Sequence, residues 1–200
     1  MRKIVYLISP EKIEKNFYSQ LNKVLLYGNV AFFQLRLKNH SERKIQKVAL
    51  EVKKITRKYK VKFLINDDYN LALKVKADGC HMGQKDGPLN LARNKLANKI
   101  LGVTCHNSKT IAKKVLTYEP DYLAFGSFYK SKLKPNAVKS NLEILRWAKK
   151  SLKKPIVAIG GINNKNYKNL IKCGAKYIAL SSYIWDNPNL KPELAIREFK

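Results

Sequence analysis

Residues 61–87 read VKFLINDDYNLALKVKADGCHMGQKDG. The run 61–65 is short and mostly apolar, as a strand is. It stops at Asn66, Asp67 and Asp68. Residues 70–76 spell a short helix that ends before Ala77-Asp78-Gly79. Residues 79–82 form a second, brief strand that runs into Gly83-Gln84-Lys85-Asp86-Gly87. This is a strand–helix–strand unit, and both strands end in carboxylate-bearing turns.

The same alternation continues in both directions. Strands are predicted at 3–9, 30–38, 100–104, 122–128, 155–159 and 177–181. Helices are predicted at 11–28, after the cap Ser41, at 89–97, 108–117 and 141–151, from the cap Asn163 to Cys173, and at 191–199. In the first helix Ile13, Phe17, Leu21, Val24 and Leu25 share a face, and in the second Ile45, Val48, Ala49, Val52 and Ile55 do so. Eight strands, nearly all followed by a helix, is the count of a compact (β/α)8 TIM barrel. A doubly wound open sheet shows the same alternation, and periodicity alone does not separate the two. No composition break or Gly/Ser linker divides the chain, so 1–200 reads as a single domain.

Of 200 residues, 45% are hydrophobic and 28% charged, too apolar for disorder. No stretch approaches the roughly 20 apolar residues of a membrane helix. The apolar start gives way to Glu11, Lys12 and Glu14 without a cleavage site, which reads as a cytoplasmic protein. The net charge of +27 comes from 41 basic and 14 acidic residues, and only 7 of the basic ones are arginine. The lysines are scattered through the helices rather than gathered in a tail. That pattern suits a solvating coat, and no specific nucleic-acid partner is expected. A lysine-rich barrel binding polyanions without catalysis is the non-enzymatic alternative. Cys80, Cys105 and Cys173 form no C-x-x-C pair, and an odd count argues against a disulfide framework. Cys105 and His106 are adjacent, so on a strand they point to opposite faces and do not pair as nucleophile and base.

In a barrel the site lies where strands give way to helices. On the second strand Gln34, Arg36 and Lys38 share a face by alternation, while Leu35 and Leu37 point toward the helices. An amide and two cations at the mouth make a phosphate or pyrophosphate clamp. Asp67 and Asp86 beside it suit Mg²⁺, which takes one or two protein carboxylates and fills its shell with phosphate oxygens and water. Taken singly, each is equally a helix cap or turn residue. Gly160-Gly161, read as opening onto a helix N-terminus, suggests a second anion site, shared with Ser181 and Ser182.

These segments together identify a family. QLRLK (34–38), LINDDYNLALKVKADGCHMGQKD (64–86), GVTCH (102–106), FGSFYKSKLK (125–134), AIGGI (158–162) and ALSSYI (179–184) resemble thiamine phosphate synthase, from about Tyr6 to Ile184. The resemblance implies a (β/α)8 barrel, Mg²⁺ as cofactor, and two small-molecule substrates, hydroxymethylpyrimidine diphosphate and thiazole phosphate. It implies that Gln34, Arg36, Lys38, Asn66, Thr104 and Lys134 hold the diphosphate, with Arg36, Lys38 and Lys134 as the catalytic cations. Asp67 and Asp86 would bind the metal. Ser131, Lys132, Gly161, Ser181 and Ser182 would hold the thiazole phosphate. The sequence departs from the family at Leu37, where glutamate is common, at Thr104, where serine is usual, and at Ser131-Lys132-Leu133-Lys134, where T-x-T-K is usual. The related thiazole tautomerase shares the resemblance, but it has no use for a metal-binding carboxylate pair. A homo-oligomer is compatible with the sequence.

Overall fold

The computed structural model describes residues 3–130 and 139–200. Eight parallel strands close into a barrel in chain order. They are β1 (Val5–Ile8), β2 (Val30–Leu35), β3 (Lys62–Asn66), β4 (Gly79–Met82), β5 (Ile100–His106), β6 (Tyr122–Gly126), β7 (Ile156–Ile159) and β8 (Tyr177–Leu180). The outer helices are α1 (Phe17–Tyr27), α2 (Glu42–Lys58), α3 (Tyr69–Lys74), α4 (Leu89–Leu96), α5 (Lys109–Val115), α6 (Leu142–Ser151), α7 (Tyr167–Lys172), α8 (Ser182–Trp185) and α9 (Pro192–Ala195). Closure between β1 and β8 decides for the barrel over the open sheet.

Several helices, α2, α5 and α6 among them, begin at side-chain caps. Ser41 Oγ accepts from the Lys44 amide, Ser108 Oγ from Ile111 and Asn141 Oδ1 from Ile144, each satisfying a backbone N–H that the helix leaves unpaired. Two starts differ from the prediction. The helix expected from residue 11 begins at Phe17, after a loop from which Glu11 reaches Arg36. Asn163 caps a turn rather than α7 itself: its Oδ1 accepts from the Lys165 and Asn166 amides, Asn166 Oδ1 accepts from the Asn163 amide, and α7 begins only at Tyr167.

The strands bury two separate apolar sets. Val5, Leu7, Phe33, Leu35, Leu123 and Phe125 face outward into the large core beneath the helices. Tyr6, Ile8, Leu64, Tyr122, Ala124, Val157 and Ala179 face inward and fill the barrel. This is the period-two pattern of strands buried on both faces. Leu37 is 7% exposed and belongs to the outer core, as its alternation predicts. The interior is unusually aromatic, with Phe32 packed edge-on against Tyr177 at 5.0 Å and close to Tyr6 and Tyr122.

Gly102 makes room for this filling. A Cβ there would lie 1.9 Å from Cζ of Tyr122 and 2.1 Å from its hydroxyl. Gly102→Ala should therefore lower stability by about 1–3 kcal/mol through overpacking, read as a lower urea midpoint with an unchanged m-value. An unshifted midpoint would show that the Tyr122 ring has room to move.

Candidate active site

The polar residues at the strand ends gather in two groups. The first is a hydrogen-bonded chain across the barrel, drawn from six strands. Thr104 Oγ1 lies 2.8 Å from His81 Nε2, and His81 Nδ1 lies 2.8 Å from Tyr122 Oη. Tyr122 Oη is 2.8 Å from Tyr6 Oη, which donates to Gln34 Oε1 at 2.6 Å. Gln34 Nε2 in turn donates to Asn66 Oδ1. Gln34, Asn66 and Thr104 were expected at the mouth, and the structure joins them through Tyr6, His81 and Tyr122. Sequence reasoning passed over those three, although alternation on β1, β4 and β6 turns each of them inward. Burial pushes both tyrosine hydroxyls far above their ordinary range, so both stay protonated.

The second group carries the charges. Asp67 has a left-handed φ of 67°, and its amide donates to the His81 carbonyl at 2.7 Å. Asp68, next in the chain, is the cap: its Oδ1 accepts from the Leu71 amide at 2.8 Å and starts α3. Asp67 is therefore not the cap of this helix. Asp86 Oδ2 accepts from the Gly83 amide at 2.6 Å, a turn contact, and the Asp86 carboxyl also reaches that of Asp67. Lys38 Nζ stands 3.7 Å from Asp67 Oδ2. Arg36 is anchored through its backbone, with its amide donating to Ser9 Oγ at 2.9 Å, and its guanidinium lies 3.4 Å from Glu11.

Burial, and then the neighbouring Asp86, raise the Asp67 carboxyl from 3.8 to about 6, against the opposing pull of Lys38 and Arg36. Two carboxylates held together with too little positive charge between them fit a hard cation. Among the described residues, no group of three or more His, Cys, Asp and Glu side chains comes together as a metal site. A pair suffices for Mg²⁺, which completes its shell from substrate and water.

The β7 and β8 ends differ from expectation. Gly160 and Gly161, at φ 106° and 59°, do not open onto a helix, since the Asn163–Asn166 turn intervenes. A Cβ on Gly161 would sit 2.3 Å from the Lys130 carbonyl oxygen. Glycine is needed here for that close approach to the chain just before residue 131. At the β7 end, an anion would therefore meet loop amides rather than the start of α7. Ser181 Oγ donates to the Ser9 carbonyl at 3.2 Å, which ties the β8 end to the loop that anchors Arg36, and Ser182 opens α8. A cavity of about 330 Å³ lies beside Ser181, between Glu11 and Trp185, on the β8–β1 side of the mouth. Ser131, Lys132 and Lys134 lie outside the described residues.

Cys105 is fully buried and burial pushes its thiol up to about 12, so it carries no nucleophile at neutral pH. Among the described residues, no helix is long and apolar enough to cross a membrane.

Comparison with known proteins agrees with this arrangement. Residues 5–184 match the family described as thiamine monophosphate synthase. A thiamine-phosphate synthase of Pelagibacter ubique is 52% identical over 200 residues, covering 100% of this chain and 97% of that one. One from Erythrobacter litoralis is 38% identical, covering 90% and 87%. A thiamine phosphate pyrophosphorylase structure from Pyrococcus furiosus superposes with a TM-score of 0.87 at 30% identity, covering 98% of this chain and 93% of that one. These matches do not favour the tautomerase or polyanion-binding alternatives. The chain belongs to the thiamine monophosphate synthase family, and its activity is that of a transferase of thiamine biosynthesis.

Proposed function

We propose that the protein joins hydroxymethylpyrimidine diphosphate to a thiazole phosphate and releases pyrophosphate, with Mg²⁺ held by Asp67 and Asp86. The observation that carries this reading is the carboxylate pair beside Lys38 and Arg36, set next to a neutral hydrogen-bonding layer. The charged group suits a diphosphate, and the neutral layer suits an aromatic ring with nitrogen edges.

The reaction replaces the pyrophosphate on the exocyclic carbon of the pyrimidine with the thiazole nitrogen. The electron-rich aminopyrimidine ring stabilises positive charge at that carbon, so the bond to pyrophosphate can break ahead of attack. What the chain must then supply is stabilisation of the negative charge growing on the leaving group. Arg36 and Lys38 do this from the loop that follows β2, joined by Lys134 on the sequence resemblance. When bound, Mg²⁺ adds charge neutralisation at the phosphate oxygens. Gln34, Asn66 and Thr104 hold the pyrimidine ring in place. Gly161, Ser181 and Ser182, with Ser131 and Lys132, hold the thiazole phosphate, so that the nitrogen faces the reacting carbon. No side chain acts as a nucleophile, and none with a lowered pKa is needed.

The test is to incubate the purified protein with both substrates, with Mg²⁺ or with EDTA, and to follow thiamine phosphate and pyrophosphate. Equal amounts of the two products with Mg²⁺ support the reading. Pyrophosphate without thiamine phosphate would reduce it to a hydrolase, and no product with Mg²⁺ would overturn it.

A further inference from the structure

The chain of side chains across the barrel has a fixed direction. Gln34 Oε1 is a carbonyl oxygen and only accepts, so Tyr6 commits its one hydroxyl proton there. Tyr6 Oη must then accept from Tyr122 Oη, and Tyr122 is committed in turn. His81 Nδ1 has to bring its own proton to Tyr122. In a neutral ring Nε2 is left as an acceptor, and the Thr104 hydroxyl fills it. At the other end, Gln34 Nε2 donates to Asn66 Oδ1. Asn66 keeps both Nδ2 protons to donate and Gln34 keeps one, while Thr104 Oγ1 keeps only lone pairs. One side of the layer therefore donates, and the β5 side accepts.

Tyr6 is the hinge of this order. Its hydroxyl joins the amide pair on β2 and β3 to the Tyr122–His81–Thr104 branch. It is 2% exposed, and its ring is held by Phe32 at 5.4 Å and by Tyr122 at 5.7 Å. We propose that Tyr6 is a positioning residue that sets the donor–acceptor polarity of this layer, and thereby selects a pyrimidine edge with an accepting ring nitrogen beside a donating exocyclic amine. The reversed edge, a ring N–H beside a carbonyl, would meet donor against donor and acceptor against acceptor. The inference rests on the proposed seating of the pyrimidine in this layer.

Tyr6→Phe keeps the ring and its packing and removes only the hydroxyl. Gln34 and Asn66 are then free to turn their amides over together, and Tyr122 to donate toward His81. The KM for hydroxymethylpyrimidine diphosphate should rise about tenfold, as expected when one buried hydrogen bond is lost. The KM for thiazole phosphate should stay unchanged. The preference for the aminopyrimidine over its oxo analogue, measured as a ratio of kcat/KM, should fall about tenfold. An unchanged preference, or equal losses on both substrates, overturns the proposal, because a merely structural role would weaken both edges alike.

A second measurement needs neither the variant nor turnover. Nitrogen-15 NMR at pH 8, on protein carrying His40→Gln and His106→Gln, reads the tautomer of His81 alone. The Nδ1–H form is expected, and the Nε2–H form or a doubly protonated ring overturns the proposal. A protein that makes no thiamine phosphate but shows Nδ1–H at His81 would sink the proposed reaction and leave the ordered layer standing. Turnover with Nε2–H would sink the role of Tyr6 alone.

Discussion

Asp67→Asn and Asp86→Asn should each lower kcat by about 10²–10³-fold while the barrel stays folded. The amide keeps the shape of the carboxyl and removes the charge that would hold the cation. The stability readout has a definite sign. In the folded protein the Asp67 carboxyl titrates at about 6, above its unfolded value of 3.8, because it is partly buried and faces Asp86. The folded state therefore binds this proton more tightly than the unfolded state. Its contribution to stability is fully present below the unfolded value and is lost as pH rises through about 6. At pH 7, without divalent cations, the ionised pair strains the fold. Asp67→Asn should then melt at or above the wild-type temperature, and the difference should shrink as pH falls toward 4. Millimolar Mg²⁺ should raise the Tm of wild type and leave the double variant unmoved, since a ligand that binds only the folded state stabilises it by mass action. Full turnover by the double variant in EDTA, or an equal Tm rise with Mg²⁺, would remove both carboxylates from the metal site.

The strands were legible because each is a short apolar run closed by polar or glycine residues, and their ends agree with the sequence reading to within three residues. Helix starts were harder where polar side chains close turns of their own. Ile13 continues the apolar face of α1, and it does pack on the core, yet helix begins only at Phe17. Asn163 caps, but what it caps is the turn to Asn166, and α7 follows only after it. In the site, Gln34, Asn66, Thr104, Asp67 and Asp86 declared themselves as polar residues at the ends of apolar strands. Tyr6 and Tyr122 did not, because a tyrosine within a strand is ordinarily core, and both are also buried here. Alternation sets them apart from Val5, Leu7, Leu123 and Phe125. It says only that they face inward. That their hydroxyls meet at 2.8 Å depends on the stagger of β1 against β6 across the closed barrel, which no local pattern encodes.

Arg36→Gln should cost about 10²–10³-fold in kcat/KM for the pyrimidine diphosphate, with most of the loss in kcat. The backbone of Arg36 is held on Ser9, whose hydroxyl takes the Arg36 amide at 2.9 Å and reaches its carbonyl at 3.2 Å, so the substitution leaves the loop in place. Its guanidinium pairs with Glu11 at 3.4 Å, and that side chain is 59% exposed. An ion pair this open is worth roughly 0–1 kcal/mol. A diphosphate can displace Glu11 at little cost and take the guanidinium fork in its place. Charge on the leaving pyrophosphate is larger in the transition state than in the bound substrate, so an arginine fixed beside it lowers the barrel's chemical barrier more than it tightens ground-state binding. Arg36→Lys keeps the charge and loses the planar two-pronged donor, and it should fall between the two, at about tenfold. Single-turnover measurements at saturating substrate separate the outcomes. Equal losses for Arg36→Lys and Arg36→Gln would assign the effect to fork geometry rather than charge. A raised KM with unchanged kcat would mean that Arg36 holds the diphosphate equally well before and during bond breaking, and the catalytic work would then fall to Lys38 and its neighbours.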